Sequence, residues 1–200
     1  MMFCFFTVDM RITFVLFFLI SLTAAQAQVS TNVYFTQKTN LPANQTIYYN
    51  TSVPLKWVDF EGVPNSGGIV AAITMSGFGY QASMKSSGGE GELNVAVYCY
   101  FNKPKSWVKA NKKTSYILNH EQRHFDVSFI ASKIFVERVK DTKFTAQNIN
   151  TLLPKIYKDC CDIMNKMQDD YDGQTKNGQL AGMQEKWDEL FVKQIKEVTK

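Results

Sequence analysis

The chain has 200 residues, enough for one domain with a real hydrophobic core. Its apolar fraction of 45% and charged fraction of 20% are those of an ordinary globular protein. The formal charge is only +4 and the lysines are spread along the sequence, which argues against a nucleic-acid partner.

Residues 1–27 read as a secretory signal. Arg11 precedes an uncharged apolar run, Ile12 to Leu22, which ends at Ala25-Gln26-Ala27 with small residues at the two positions a signal peptidase inspects. The run is too short to span a bilayer comfortably. The expectation is cleavage before Gln28, export to the periplasm or the medium, and no membrane anchor afterwards; the alternative is a buried N-terminal helix. Met10 as initiator would give a more usual signal length. Cys4 precedes the apolar run, so it does not mark a lipoprotein anchor.

The mature chain, 28–200, is expected to form a single α+β domain, with 28–101 mainly β and 115–198 mainly α. Val33 to Thr36, Thr46 to Tyr49 and Leu55 to Phe60 are short runs rich in β-branched and aromatic residues. Glu61 to Gly68 is a loop by composition. Ile69 to Thr74, Phe78 to Met84 and Glu92 to Phe101 follow as strands, and a meandering antiparallel sheet is the expected arrangement. After a polar, basic connection at 102–114 the period changes. Ser115 is placed to cap a helix from about Tyr116 to Lys140 that is apolar on several sides and therefore mostly enclosed. A second helical stretch, Thr145 to Tyr171, contains Pro154, which would kink it or mark a later start. A third, amphipathic helix carries Leu180, Met183, Trp187, Leu190, Phe191 and Ile195.

Three cysteines remain after signal removal: Cys99, Cys160 and Cys161. In an oxidising compartment one disulfide and one free thiol is the simplest outcome, with Cys99 to Cys160 the expected pair.

The chemistry concentrates at Ile117 to Ser128, where His120-Glu121-Gln122-Arg123-His124 forms an HExxH arrangement containing both histidines of the chain. Residues four apart on a helix lie about 40° apart around the axis and about 6 Å along it, so both imidazoles can address one metal ion. Glu121, about 100° round from His120, is placed to act as general base rather than as a ligand. This pattern predicts a zinc hydrolase. A catalytic zinc needs a third protein ligand, and no third histidine exists. Asp126 points about 200° away from His124 and is expected to support the helix instead. Glu137 lies several turns further along. The carboxylates at the end of the second helix are better placed, in the order Asp172, then Asp170, with the amide of Asn177 third.

Trp57-Val58-Asp59-Phe60 with Gly62 and Pro64, the Ala71-Ala72-Ile73-Thr74 strand, Ser106-Trp107, Leu118 to Asp126, and Tyr171-Asp172 followed by Thr175, Gly178 and Trp187 together resemble the DUF922 family. Its members are bacterial secreted proteins predicted to be zinc-dependent proteases. The resemblance covers most of the mature chain from about Leu55, and the His-Glu-Gln-x-His-Phe-Asp string is its most specific part. It implies a zincin-like metallopeptidase domain with Zn²⁺ as cofactor and a peptide or protein as substrate. The family often has histidine at the position of Asn177, and this sequence departs there. Either Asp172 or Asn177 then completes the site, or the metal is held weakly and the enzyme has decayed. Two functions follow as expectations. One is an exported zinc peptidase with Glu121 as general base; the other is a non-catalytic envelope or secreted binding protein with a vestigial or structural metal site.

Overall fold

The computed structural model describes residues 29–65, 67–87 and 90–198. The expected signal, residues 1–27, lies outside them. The chain is α+β: among the described residues strands come first and three α-helices after. Among the described residues no helix is long and apolar enough to cross a membrane.

β5, Glu90–Asn102, is the central strand. β4, Ser76–Ser87, runs antiparallel along one edge of it, from Ser76 opposite Phe101 to Ser87 opposite Glu90. A strand has two edges, so the remaining partners share the other one end to end. β1, Val29–Phe35, pairs in parallel with Gly91 to Val97, and β2, Thr46–Tyr48, pairs antiparallel with Tyr100 to Asn102. The sheet is therefore mixed, where an antiparallel meander was expected. β1 and β2 both pair with β5 instead of with each other, and β1 reaches it through a long crossover, as parallel pairing requires.

β3, Ala72–Ile73, and β6, Trp107–Val108, form a separate two-stranded ribbon. This is shorter than the expected strand from Ile69, and Ile69 itself is fully exposed. Leu55 to Phe60, also expected as a strand, instead holds a 3-10 turn at Trp57–Asp59. The Asp59 carboxylate accepts the Lys56 N–H at 2.7 Å, offering the backbone a local partner in place of a ladder.

α1, Ser115–Asp141, is capped one residue earlier than expected, by Thr114, whose hydroxyl accepts the Ile117 N–H. α2, Ile149–Thr175, begins later than expected because Thr145 and Asn148 exchange side-chain bonds to each other's N–H groups and form a separate turn. It runs unbroken through Pro154 to Thr175. α3 is Ala181–Val198.

α1 packs against β1, β4 and β5 on one side and against α2 and α3 on the other. The main core lies toward the sheet and includes Leu93, Val95, Val97, Phe101, Phe125 and Phe135. A smaller one, Val127, Ile130, Tyr171 and Phe191, closes the three helices together.

Cys99, Cys160 and Cys161 are all free thiols, so the expected Cys99 to Cys160 bridge is not formed. Cys99 on β5 and Cys160 on α2 are both packed in the main core, where burial raises each thiol and so disfavours the thiolate that forms a disulfide.

Candidate metal centre

On α1 the four-residue spacing brings the two imidazoles into edge-to-face contact, with Nε2 atoms 3.3 Å apart. α2 supplies the third group. Asp172 Oδ1 lies 3.1 Å from His120 Nε2 and 3.2 Å from His124 Nε2. Donors bound to a tetrahedral zinc at about 2.0–2.2 Å sit about 3.3–3.5 Å from one another, so this triangle has the size of one face of such a shell. Its corners are atoms that attract a cation, and Asp172 Oδ1 is buried without a hydrogen-bond partner. An orphaned carboxylate oxygen facing two ring nitrogens is costly unless a positive charge sits among them. His120, His124 and Asp172 can hold a metal ion.

Asp172 was expected beyond the end of α2, on backbone free to aim it. It lies within the last turn instead, and the helix aims it. Lys176 and Asn177 then take left-handed backbone conformations, with φ of 50° and 52°, and the Asn177 N–H closes on Asp172 O at 2.8 Å. Asn177 is exposed and serves here through its backbone. Gly178 follows with φ of +76°, and a Cβ there would come within 3.2 Å of the His120 ring. Its carbonyl accepts the Tyr116 hydroxyl at 2.6 Å, which ties the α2–α3 turn to the start of α1. Asp170 points elsewhere, pairing with Lys166 one turn back at 2.7 Å.

Glu121 is only 4% exposed and stands beside the centre without joining it. Thr74, just after β3, donates its hydroxyl to Glu121 Oε2 at 2.7 Å. Burial pushes the Glu121 carboxyl up, against the opposing pull of the imidazoles and Thr74. Burial acts on Asp172 in the same direction, but the two imidazoles outweigh it and hold that carboxyl well below the usual range. For His124 burial favours the neutral ring, while Asp172 and Glu121 win and raise its pKa. The two carboxylates are thus driven apart, a pattern that separates a proton acceptor from a permanent charge.

The side chains of His120 and His124 are 8% and 13% exposed and that of Asp172 38%, so Asp172 is the most accessible of the three, although its Oδ1 is buried. Among the described residues the cluster has three members, which leaves room for a further ligand.

Sequence reasoning missed several neighbours. Gln168 Oε1 meets His124 Nδ1, and Gln184 Oε1 meets His120 Nδ1 at 3.0 Å. Gln168 could have been found, since it sits one turn before Asp172 and shares its face. Gln184 interrupts the apolar stripe of α3 between Leu180 and Trp187. Such a polar residue in a buried stripe usually has a partner. Asp188, one turn on, accepts Arg123 Nε and Asn119 Nδ2, each at 2.7 Å. Asp126 behaves as expected, pointing away from the metal to accept Tyr49, Gln122 and Arg123 at 2.8–2.9 Å. Glu137 pairs with Lys140 on the surface.

No protein family, curated protein or solved structure matches the chain.

Proposed function

We propose that the protein is an exported zinc-dependent peptidase of the DUF922 type. The observation that carries the reading is the triangle of His120, His124 and Asp172 acceptors, flanked by the buried carboxylate of Glu121. Zinc bound by these three residues would supply Lewis acidity, polarising a carbonyl and lowering the pKa of water. The protein's own groups do the rest. Glu121 accepts the proton of the attacking water, with the Thr74 hydroxyl fixing which carboxylate oxygen stays engaged. Asp172 contributes the negative charge that offsets the ion.

A seat for the substrate lies next to Glu121. The Lys109 N–H bonds Ala71 O, which makes Ala71 and Lys109 a hydrogen-bonded pair and turns the N–H and C=O of Ala72 toward the outer edge of β3. No strand among the described residues occupies that edge. An extended peptide added there would run past Thr74 and the metal centre, gaining main-chain bonds without a deep pocket. Export rests on the Arg11, apolar and Ala25-Gln26-Ala27 pattern, and a mature protein beginning at Gln28 is the expected result of N-terminal sequencing.

Elemental analysis of protein purified without chelator tests the metal, with one zinc expected in the wild type and none in a His120→Ala, His124→Ala double variant. Cleavage of a diverse peptide library tests the activity. Full zinc occupancy without cleavage would replace the peptidase by a binding protein that retains a metal site.

A further inference from the structure

We propose that Gln168 and Gln184 are positioning residues that fix the tautomer of both histidines, so that each carries its hydrogen on Nδ1 and turns the Nε2 lone pair to the metal. The proposal rests on the metal reading for its use, but the argument needs only the amides and their obligate partners.

An amide side chain has a donor end and an acceptor end, and its orientation follows from neighbours that can play one role only. Gln168 Nε2 lies 2.9 Å from the backbone carbonyl of His124, which can only accept. The NH₂ end must face it, and Gln168 Oε1 is then the atom left against His124 Nδ1. Gln184 is fixed from the other helix. Asp188 accepts from Arg123 and Asn119 through its two carboxylate oxygens, and Gln184 Nε2 reaches its Oδ1 at 3.3 Å. The same nitrogen reaches the Tyr171 hydroxyl at 2.5 Å, and Oε1 again faces an imidazole, at His120 Nδ1. An amide oxygen cannot donate, so both Nδ1 atoms must. A neutral imidazole with hydrogen on Nδ1 has its lone pair on Nε2, and both Nε2 atoms are in the triangle with Asp172.

The surroundings hold each ring as well as each proton. Tyr171 stacks on His120 with ring centroids 4.7 Å apart and meets His124 edge-on at 5.3 Å. Gln184 is only 2% exposed and Tyr171 wholly buried, so water does not compete for the bonds of Gln184. Histidine ligands often have a carboxylate behind them, which raises the basicity of the ring. Here both Nδ1 partners are neutral amides, and Asp188, the acid behind Gln184, reaches His120 through that amide. The tautomers are fixed without further negative charge at a centre that already holds Asp172.

The test uses the whole mature protein, stripped of metal and labelled with ¹⁵N-histidine, in long-range ¹H–¹⁵N spectra at alkaline pH where neutral rings prevail. Both rings should give the Nδ1–H signature. Gln184→Leu, apolar and unable to accept, should shift His120 alone toward the Nε2–H form, and Gln168→Leu should shift His124 alone. Each should weaken zinc binding by about 10–100-fold, the usual effect of losing such a partner. An Nε2–H signature in the wild type overturns the proposal, and needs no variant to be seen. So do variants that lose thermal stability while the tautomers stay unchanged, since that is the behaviour of packing residues. If the wild-type rings show Nδ1–H but zinc does not bind, the metal reading fails and the tautomer assignment stands.

Discussion

The two halves of α1 are buried alike but built differently. In the first half the buried positions include His120, Glu121, Asp126 and Ser128, with Phe125 and Val127 between them. In the second half they are Ile130, Ala131, Phe135, Val136 and Val139, with Ser132 the polar exception. The second half holds the fold by hydrocarbon burial. The first carries groups whose burial would cost several kcal/mol each if unpaired, and each has a partner: Thr74 on Glu121, Gln184 on His120, Gln168 on His124, and Tyr49, Gln122 and Arg123 on Asp126. One helix can thus be a structural strut at one end and a reactive surface at the other, provided neighbouring elements supply the partners.

Substitutions in the two halves should separate activity from stability. If the proposed peptidase reading holds, the largest effect is expected for Glu121→Gln, which would remove the proton acceptor while leaving the metal triangle complete. Peptidase kcat/KM should fall by about 10²–10⁴ with zinc content unchanged, as paired kinetic and metal assays would reveal. In the second half Phe135→Ala should cost about 3–5 kcal/mol of folding stability by denaturant titration, because Phe135 is wholly buried in the main core. The folded fraction should still bind zinc with wild-type affinity. A loss of affinity there would mean that the two halves are less independent than their packing indicates.

A subtler contrast concerns pH. In the metal-free protein His124 has a pKa above its ordinary 6.5, so its contribution to stability is complete below about 6.5 and is lost as pH rises through the raised value. The raised Glu121 carboxyl acts in the same direction from its own ordinary value upward. Asp172 has the opposite sign: its contribution is present above the ordinary 3.8 and is lost only as pH falls through its lowered value. Zinc reverses the trend at the histidines, because the ion needs the deprotonated rings. Melting temperatures at pH about 6 and about 8 should therefore fall with pH for chelated protein and rise for zinc-loaded protein. Parallel trends in both would count against a metal at these residues. The smallest effect is expected for Asp170→Ala, which breaks an exposed pair with Lys166: a few tenths of a kcal/mol in stability, and no change in zinc affinity by competition titration.

The reactive half of α1 was legible in the sequence because helical spacing by itself places His120 and His124 together. Asp172 was legible as a carboxylate on a neighbouring helix end, although the turn that holds it lies inside the helix. Gln168, Gln184 and Thr74 were not, since an amide or hydroxyl acquires its role only from what faces it, and those contacts join different elements. The same limit applied to the sheet. Alternation identified β5, but nothing local in Val29 to Phe35 says that its partner is β5 or that the pairing is parallel. At Leu55 to Phe60 a strand was expected from apolar content alone; Leu55 and Phe60 are indeed buried, but the Lys56 N–H to Asp59 bond, which content does not reveal, decided the local shape.

The position of β1 bears on how the chain reaches its final shape. Its pairing with β5 is stapled by a side-chain bond between Asn32 and Asn94 that spans 62 residues of sequence. Closing so long a loop is slow, and it cannot begin until β5 has been made. During synthesis the first strand waits as an open chain, and the long inner edge of β5 waits with it once it appears. The same delay leaves both edges open to other chains, so recovery on refolding should depend on protein concentration more steeply than for a fold whose first strand pairs with its second.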